Sequence, residues 1–145
     1  MKTPRQIAAL PFWISPEGIL EVFLVTSRGS GRWIIPKGNP IRGLTPKEVA
    51  AREAYEEAGL TGQIVSGKVG SFEFRRLRGT APICQVDAYP LQVKKQVRKW
   101  DEQRQRTVLR CDVTTALSLV CSDSLAALIS SYSRQFQIGM LNSAG

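Results

Sequence analysis

The sequence predicts an α/β protein in which a mixed β-sheet is sandwiched between helices, and three observations carry that expectation. Segments rich in β-branched and aromatic residues stand both before and after one strongly signalled central helix. The chain then closes in helix, so strands and helices alternate. A length of 145 residues suits one domain, at roughly 100–200 residues per domain. No repeat, low-complexity linker or composition shift divides it, and residues 1–145 are read as one domain with a loose tail over 137–145.

Residues 5–14 read as a strand, with Pro11 indicating an edge or a bulge. Ser15-Pro16-Glu17-Gly18 is a turn. Ile19–Ser27 is a second strand, rich in β-branched and aromatic residues. Arg28-Gly29-Ser30-Gly31-Arg32 is a basic, glycine-rich loop, and Trp33-Ile34-Ile35 a short buried strand stopped by Pro36. The clearest helix spans Thr45–Ala58. Thr45 can cap it, Pro46 suits the first helical position, and Glu48 completes a Thr-x-x-Glu capping box. Gly59 supplies the stop. Residues 63–74 and 83–93 read as strands, joined by a turn that carries Arg75, Arg76 and Arg78. Residues 94–106 are a charged loop, and Thr107–Cys111 a last short strand. Asp112 caps a brief helix to Val120. Ser122 or Asp123 caps a final helix whose Leu125, Leu128, Ile129, Tyr132 and Phe136 form one apolar stripe, read as core.

Composition excludes several chemistries. There is no histidine, which removes Ser-His and Cys-His triads, imidazole bases and His-ligated metals. The cysteines, Cys84, Cys111 and Cys121, are odd in number and lack C-x-x-C spacing, so a disulfide framework or thiolate zinc site is not expected. A metal here must be held by oxygen, which suits Mg²⁺ or Mn²⁺. The formal net charge of +8 concentrates anions near the surface. Nucleic acid and a small, densely phosphorylated molecule are both candidate partners. No window approaches the ~18 apolar residues of a membrane span, and the N-terminus lacks a signal-peptide pattern. A cytoplasmic protein without membrane contact is expected; monomer and homodimer are both compatible with the sequence.

Glu53, Glu56 and Glu57 fall three and four residues apart on the central helix, hence on one face. Like charges this close repel, and a divalent cation turns the same cluster into a chelating surface. The bland alternative is a solvated helix face. Ahead of the helix lies Pro36-Lys37-Gly38-Asn39-Pro40-Ile41-Arg42-Gly43. Its glycines allow close backbone approach, Lys37 and Arg42 offer charge to phosphate oxygens, and the helix N-terminus favours anions. Arg28 and Arg32, in the neighbouring basic loop, are further candidates for phosphate binding, as is the backbone at Gly38.

These residues resemble the Nudix box, G-x5-E-x7-R-E-U-x-E-E-x-G-U with U a bulky apolar residue. Gly38 is followed in register by Arg52-Glu53-Ala54-Tyr55-Glu56-Glu57-Ala58-Gly59-Leu60. Leu44 stands where the first Glu belongs, and Ala54 is smaller than the usual apolar residue. Residues 26–38, the Gly43-Leu44-Thr45-Pro46 stretch and a Trp100-x-Glu102-x3-Arg106 pattern are similar to a bacterial branch related to diphosphoinositol polyphosphate phosphohydrolases, in which the box often lacks its first Glu. The resemblance implies a Nudix fold, Mg²⁺ or Mn²⁺ on Glu53, Glu56 and Glu57, Arg52 as a structural salt-bridge partner, and Gly38 and Gly59 shaping the loop–helix–loop. It implies hydrolysis of a diphosphate linkage by metal-activated water, in a nucleoside diphosphate linked to X or a diphosphoinositol polyphosphate. The catalytic candidates are Glu56, Glu57 and Glu102, with Glu57 or Glu102 taking the proton of the attacking water. Glu102 would be delivered by a mobile loop; the alternative is an ordinary surface charge. Arg75, Arg76 and Arg78 are read as a solvated turn, and Trp33 and Trp100 as packing residues. Two other functions stay open: a phosphate- or RNA-binding module without turnover, and an RNA 5′-end pyrophosphohydrolase.

Overall fold

The computed structural model describes residues 4–75, 83–120 and 122–144, with side chains through residue 139. Its centre is an eight-stranded mixed sheet. The first strand, β1 (Arg5–Ile14), buries every residue from Ile7 to Phe12. Burial of odd and even positions alike requires cover on both faces.

β1 is central, which corrects the expectation that Pro11 marks an edge. On one side it runs parallel to β7 (Cys84–Gln96), from Arg5 opposite Gln85 to Phe12 opposite Gln92. On the other side two neighbours follow each other. β4 (Lys37–Gly38) lies opposite Ile7 and Ala8, and β2 (Leu20–Thr26) lies opposite Phe12–Ile14. Beyond that point β2 pairs Val25 and Thr26 with β3 (Trp33–Ile34), so residues 33–38 are wedged between β1 and β2. The Ala9 N–H donates to Pro36 O at 3.0 Å, and backbone groups two residues apart face the same edge. The missing N–H of Pro11 therefore faces the fork where β1 changes partner.

β8 (Val108–Asp112) covers the far edge of β2. The strand expected over residues 63–74 is two strands, β5 (Leu60–Ile64) and β6 (Gly70–Phe74), which share the outer edge of β7. Between them, Val65 N–H donates to Pro90 O and Val69 N–H to Ala88 O, at 3.1 and 2.9 Å. Pro90 offers a carbonyl to that edge but no N–H, so the ladder breaks there and the intervening residues loop out. β7 continues to Gln96, because Lys95 and Gln96 pair with Thr61 and Leu60. The arginine turn after Phe74 falls largely outside the described residues, as does Cys121.

Helix α1 (Pro46–Ala58) starts at the expected capping box on Thr45 and stops at Gly59, whose φ is 69°. Helix α2 (Val113–Leu119) is capped by Asp112, which accepts from Thr115 N–H at 2.7 Å. Helix α3 (Asp123–Ala144) begins where Ser122 Oγ accepts from Leu125 N–H at 3.2 Å. It buries Leu125, Leu128 and Ile129. The loose tail expected over 137–145 is corrected as far as residue 144: the helix continues through it. That stretch contains one glycine and no proline, and an interior glycine costs only about 1 kcal/mol.

α1 and α3 cover opposite faces. Gly38 sits in register with Ile7 and directs its empty Cβ position at Glu53 of α1. Phe12, of opposite parity to Ile7, meets Tyr132 of α3 with ring centroids 5.5 Å apart. Among the described residues no helix is long and apolar enough to cross a membrane.

Candidate active site

The C-terminal half of α1 presents Glu53 and Glu57 one turn apart toward the wedge between β1 and β2. Glu57 is 3% exposed, the one charged residue in the described core. The Lys37 N–H donates to its Oε1 at 3.3 Å. Gly38 makes room for the cluster: a Cβ there would overlap the Glu53 carboxylate. This is a steric reason for glycine, since no positive φ is recorded at Gly38.

The segment after β7 folds onto the end of the same helix. Val97 N–H donates to Gly59 O at 2.8 Å and Glu102 N–H to Glu56 O at 3.1 Å. The Trp100 indole N–H donates to Glu57 O at 3.2 Å, and its ring lies where a Cβ of residue 59 would be. Carbonyls that a helix leaves unpaired at its C-terminus are thus satisfied by this segment. These bonds hold Glu102 at the end of α1. The Glu102 carboxylate lies near Glu53 and Glu57, and Arg106 bridges Glu57 and Glu102. Arg106 Nε donates to Glu102 Oε1 at 2.8 Å, and Arg106 Nη2 lies 3.6 Å from Glu57 Oε2.

Burial dominates the electrostatics. It pushes the Glu57 carboxyl up to about 8; Arg106 opposes this, and the neighbouring Glu53 and Glu102 reinforce it. Burial also raises Glu53, against a hydrogen bond from Glu57 that favours its ionised form. The signs place the shared proton on Glu57, donated to Glu53. The Arg106 contact alone argues for an ionised Glu57, but 3.6 Å is beyond a short charge-assisted hydrogen bond, and desolvation wins.

The expected trio is rearranged. Glu56 turns to Arg52, whose Nε is 2.9 Å from its Oε1, while Glu53 and Glu57 gather with Glu102. Among the described residues no three acids form a preformed ligand set; Glu56 is paired with Arg52, and Glu57 and Glu102 with Arg106. Arg28 reaches the cluster from solvent, its Nε 3.9 Å from Glu102 Oε1 and its Nη1 donating to Gln105 at 2.9 Å. Lys37 Nζ donates to Gln6 at 2.7 Å and lies 3.9 Å from the Phe74 ring centroid. Arg32 also stacks on Phe74, at 4.8 Å, and donates to Arg75 O at 2.9 Å. It lines a cavity of about 400 Å³ with Glu73, Ser122 and Ser124, rather than the carboxylate cluster. Arg42 is exposed on the turn leading into α1. Leu44 packs against the core, an apolar use of a position where the box has a carboxylate. Sequence reasoning gave Arg106 no place in the site. Its sole signal was the Trp-x-Glu-x3-Arg spacing, which shows neither the burial nor the contacts.

Comparison with known proteins agrees with this architecture. The NUDIX domain family matches residues 4–121. Among curated relatives, Nudix hydrolase 16, mitochondrial, of Arabidopsis thaliana is 32% identical over 61% of this chain and 52% of its own length. Nudix hydrolase 21, chloroplastic, of the same plant is 32% identical over 74% of this chain and 53% of its own. The chain thus spans about half the length of the curated relatives it matches. Among solved structures, a C. elegans Ap4A hydrolase binary complex superimposes with a TM-score of 0.71 at 18% identity, covering 94% of this chain and 99% of that one. The NUDIX domain of Shewanella oneidensis NrtR complexed with ADP ribose gives 0.67 at 14% identity, covering 93% and 89%. At those identities the likeness is one of fold. The family match over most of the chain, with Gly38, Arg52, Glu53, Glu56, Glu57 and Gly59 arranged around one loop–helix–loop, makes this protein a member of the NUDIX domain family.

Proposed function

We propose that this protein hydrolyses a diphosphate linkage with the help of a divalent cation. The observation that carries the reading is the gathering of Glu53, Glu57 and Glu102, with Arg106 bridging Glu57 and Glu102 and the basic side chain of Arg28 beside Glu102.

The residues present fit a hard cation. Their donors are all carboxylate oxygens, and the negative charge they would carry together is relieved here by a proton on Glu57. Glu53, Glu56 and Glu57 are the residues that would hold Mg²⁺ or Mn²⁺. When bound, such an ion neutralises phosphate charge and lowers the pKa of a coordinated water. Glu102 takes the proton of the attacking water: its side chain is 20% exposed, against 4% for Glu57, and is therefore the one a water reaches. Arg28, beside Glu102, draws the diphosphate in and stabilises the charge that spreads over its oxygens, while Lys37, standing with Arg32 on the Phe74 ring, adds positive charge away from the carboxylates. Arg32 and Arg42 serve the parts of the substrate that extend away from the scissile bond.

The substrate class is a nucleoside diphosphate linked to a further group, or a diphosphoinositol polyphosphate. The net charge of +8 supports the more anionic members of that class. The two solved relatives named above, one titled an Ap4A hydrolase and one holding ADP ribose, share the diphosphate linkage, and that linkage is what we carry over. The test is turnover of a panel of diphosphates with Mg²⁺ by wild type, Glu56→Gln and Glu57→Gln, with folding checked by circular dichroism. Both variants are expected to lose at least about tenfold in turnover. Folded variants that match wild type would sink the reading.

A further inference from the structure

The reaction as proposed leaves Arg106 without a task, yet its side chain is only 10% exposed. A guanidinium buried to this degree needs acceptors on every nitrogen. Arg106 finds them on three separate segments. Nε donates to Glu102 Oε1 at 2.8 Å, Nη1 donates to Thr26 O at 3.0 Å, and Nη2 lies 3.6 Å from Glu57 Oε2.

The two ends of this contact are anchored independently. Beside Arg106, Thr107 is tied to the end of β2. Thr107 N–H donates to Thr26 Oγ1 at 2.8 Å, and Thr26 N–H donates to Thr107 O at 3.0 Å. Glu102 is tied to α1 through its own N–H on Glu56 O, at 3.1 Å. The guanidinium therefore spans from the sheet to the helix and fixes where the Glu102 carboxylate sits between them. Arg28 also approaches Glu102, but from solvent, at 3.9 Å and 62% exposed. It is placed to meet a ligand, whereas the nitrogens of Arg106 are already engaged by the protein.

We propose that Arg106 is the positioning residue for Glu102: it acts on turnover through that carboxylate and makes no contact with substrate. The assignment rests on the hydrolase reading above. A planar fork is required, since a lysine ammonium is a point charge that cannot serve three acceptors in one plane.

The test is a double-mutant cycle on the full chain, with kcat and KM measured on a diphosphate substrate in Mg²⁺. The variants are Glu102→Gln, Arg106→Gln and the pair together, with Arg28→Gln as comparator. Arg106→Gln is expected to lower kcat about 10- to 100-fold. KM should stay within about twofold, because no ground-state contact with substrate is lost. Added to Glu102→Gln, it should cost little more, since the group it positions is already gone. Arg28→Gln should raise KM instead. Should Arg106→Gln fail to fold, Arg106→Lys keeps the charge and most of the volume and completes the same cycle. Effects on kcat that multiply would overturn the assignment, as would a loss confined to KM. A wild type that turns over no diphosphate overturns the hydrolase reading and the assignment with it. Turnover with independent effects overturns the assignment alone.

Discussion

Moving a carboxyl out of water penalises its charged form far more than its neutral form. At Glu57 that penalty outweighs a neighbouring guanidinium and holds the group near 8, against 4.5 when free. The consequence for stability has a definite sign. Folding favours the protonated acid, so the contribution is complete below about 4.5 and is lost as pH rises toward and through about 8. Without divalent metal, the melting temperature should fall between pH 5 and pH 9. Glu57→Gln, which keeps the shape without the titration, should flatten that fall. A wild-type profile that rises over this interval would contradict the assignment of the proton. The helical spacing of Glu53, Glu56 and Glu57 was legible in the sequence because it is local. The partners that set their ionisation were not. Arg106 lies 49 positions beyond Glu57, and the docking of residues 97–102 on α1 together with the pairing of β8 with β2 brings it back.

The elements that sequence reasoning placed best are those whose ends carry their own chemistry. Thr45, Pro46, Glu48 and Gly59 delimit α1 through bonds made within a few residues, and Asp112 does the same for α2. Strand boundaries depend on a partner. β4 has two residues and exists because Ile7 and Ala8 lie opposite it, and the break between β5 and β6 is dictated by Pro90 across the ladder. The junction after α1 shows local and distant demands meeting at one residue. Gly59 needs φ 69° to end the helix, and it also needs no side chain, because the Trp100 ring occupies that space. Gly59→Ala should therefore cost more than the left-handed backbone alone, which is about 1–3 kcal/mol. Turnover should fall as well, since Trp100 and Glu102 are held at that end of the helix. Thermal denaturation with parallel assays checks this. A folded variant with unchanged melting temperature would show that the indole yields without cost.

Across the whole molecule the sequence was sufficient for the fold class and for the position of the acid-bearing helix, and insufficient for which cations face the acids. Net charge is an average. Of the 20 Lys and Arg residues, Arg28, Arg52 and Arg106 meet the helix acids and Glu102 directly, while Arg32 faces a separate cavity. The long-range field of +8 should nonetheless draw in a polyanionic substrate. Raising ionic strength from about 10 to 150 mM shortens the screening length from about 30 to 8 Å. KM for such a substrate should rise severalfold with kcat nearly constant, and a KM indifferent to salt would exclude steering by charge.

The proline at position 11 bears on how reliably the acid cluster assembles. A short two-residue pairing such as that of β4 with β1 is free to slip along a strand that offers donors at every step. Pro11 withholds the donor at the fork, so neither β4 nor β2 gains a backbone hydrogen bond by sliding onto that position. That silence in the ladder acts as a register stop. It keeps Gly38 opposite Ile7 and hence under the Glu53 carboxylate. Displaced by one position, the wedge would turn the side chain of Lys37 or Asn39 toward the acids. The room beneath the Glu53 carboxylate thus depends on which residue of the wedge the sheet holds opposite Ile7.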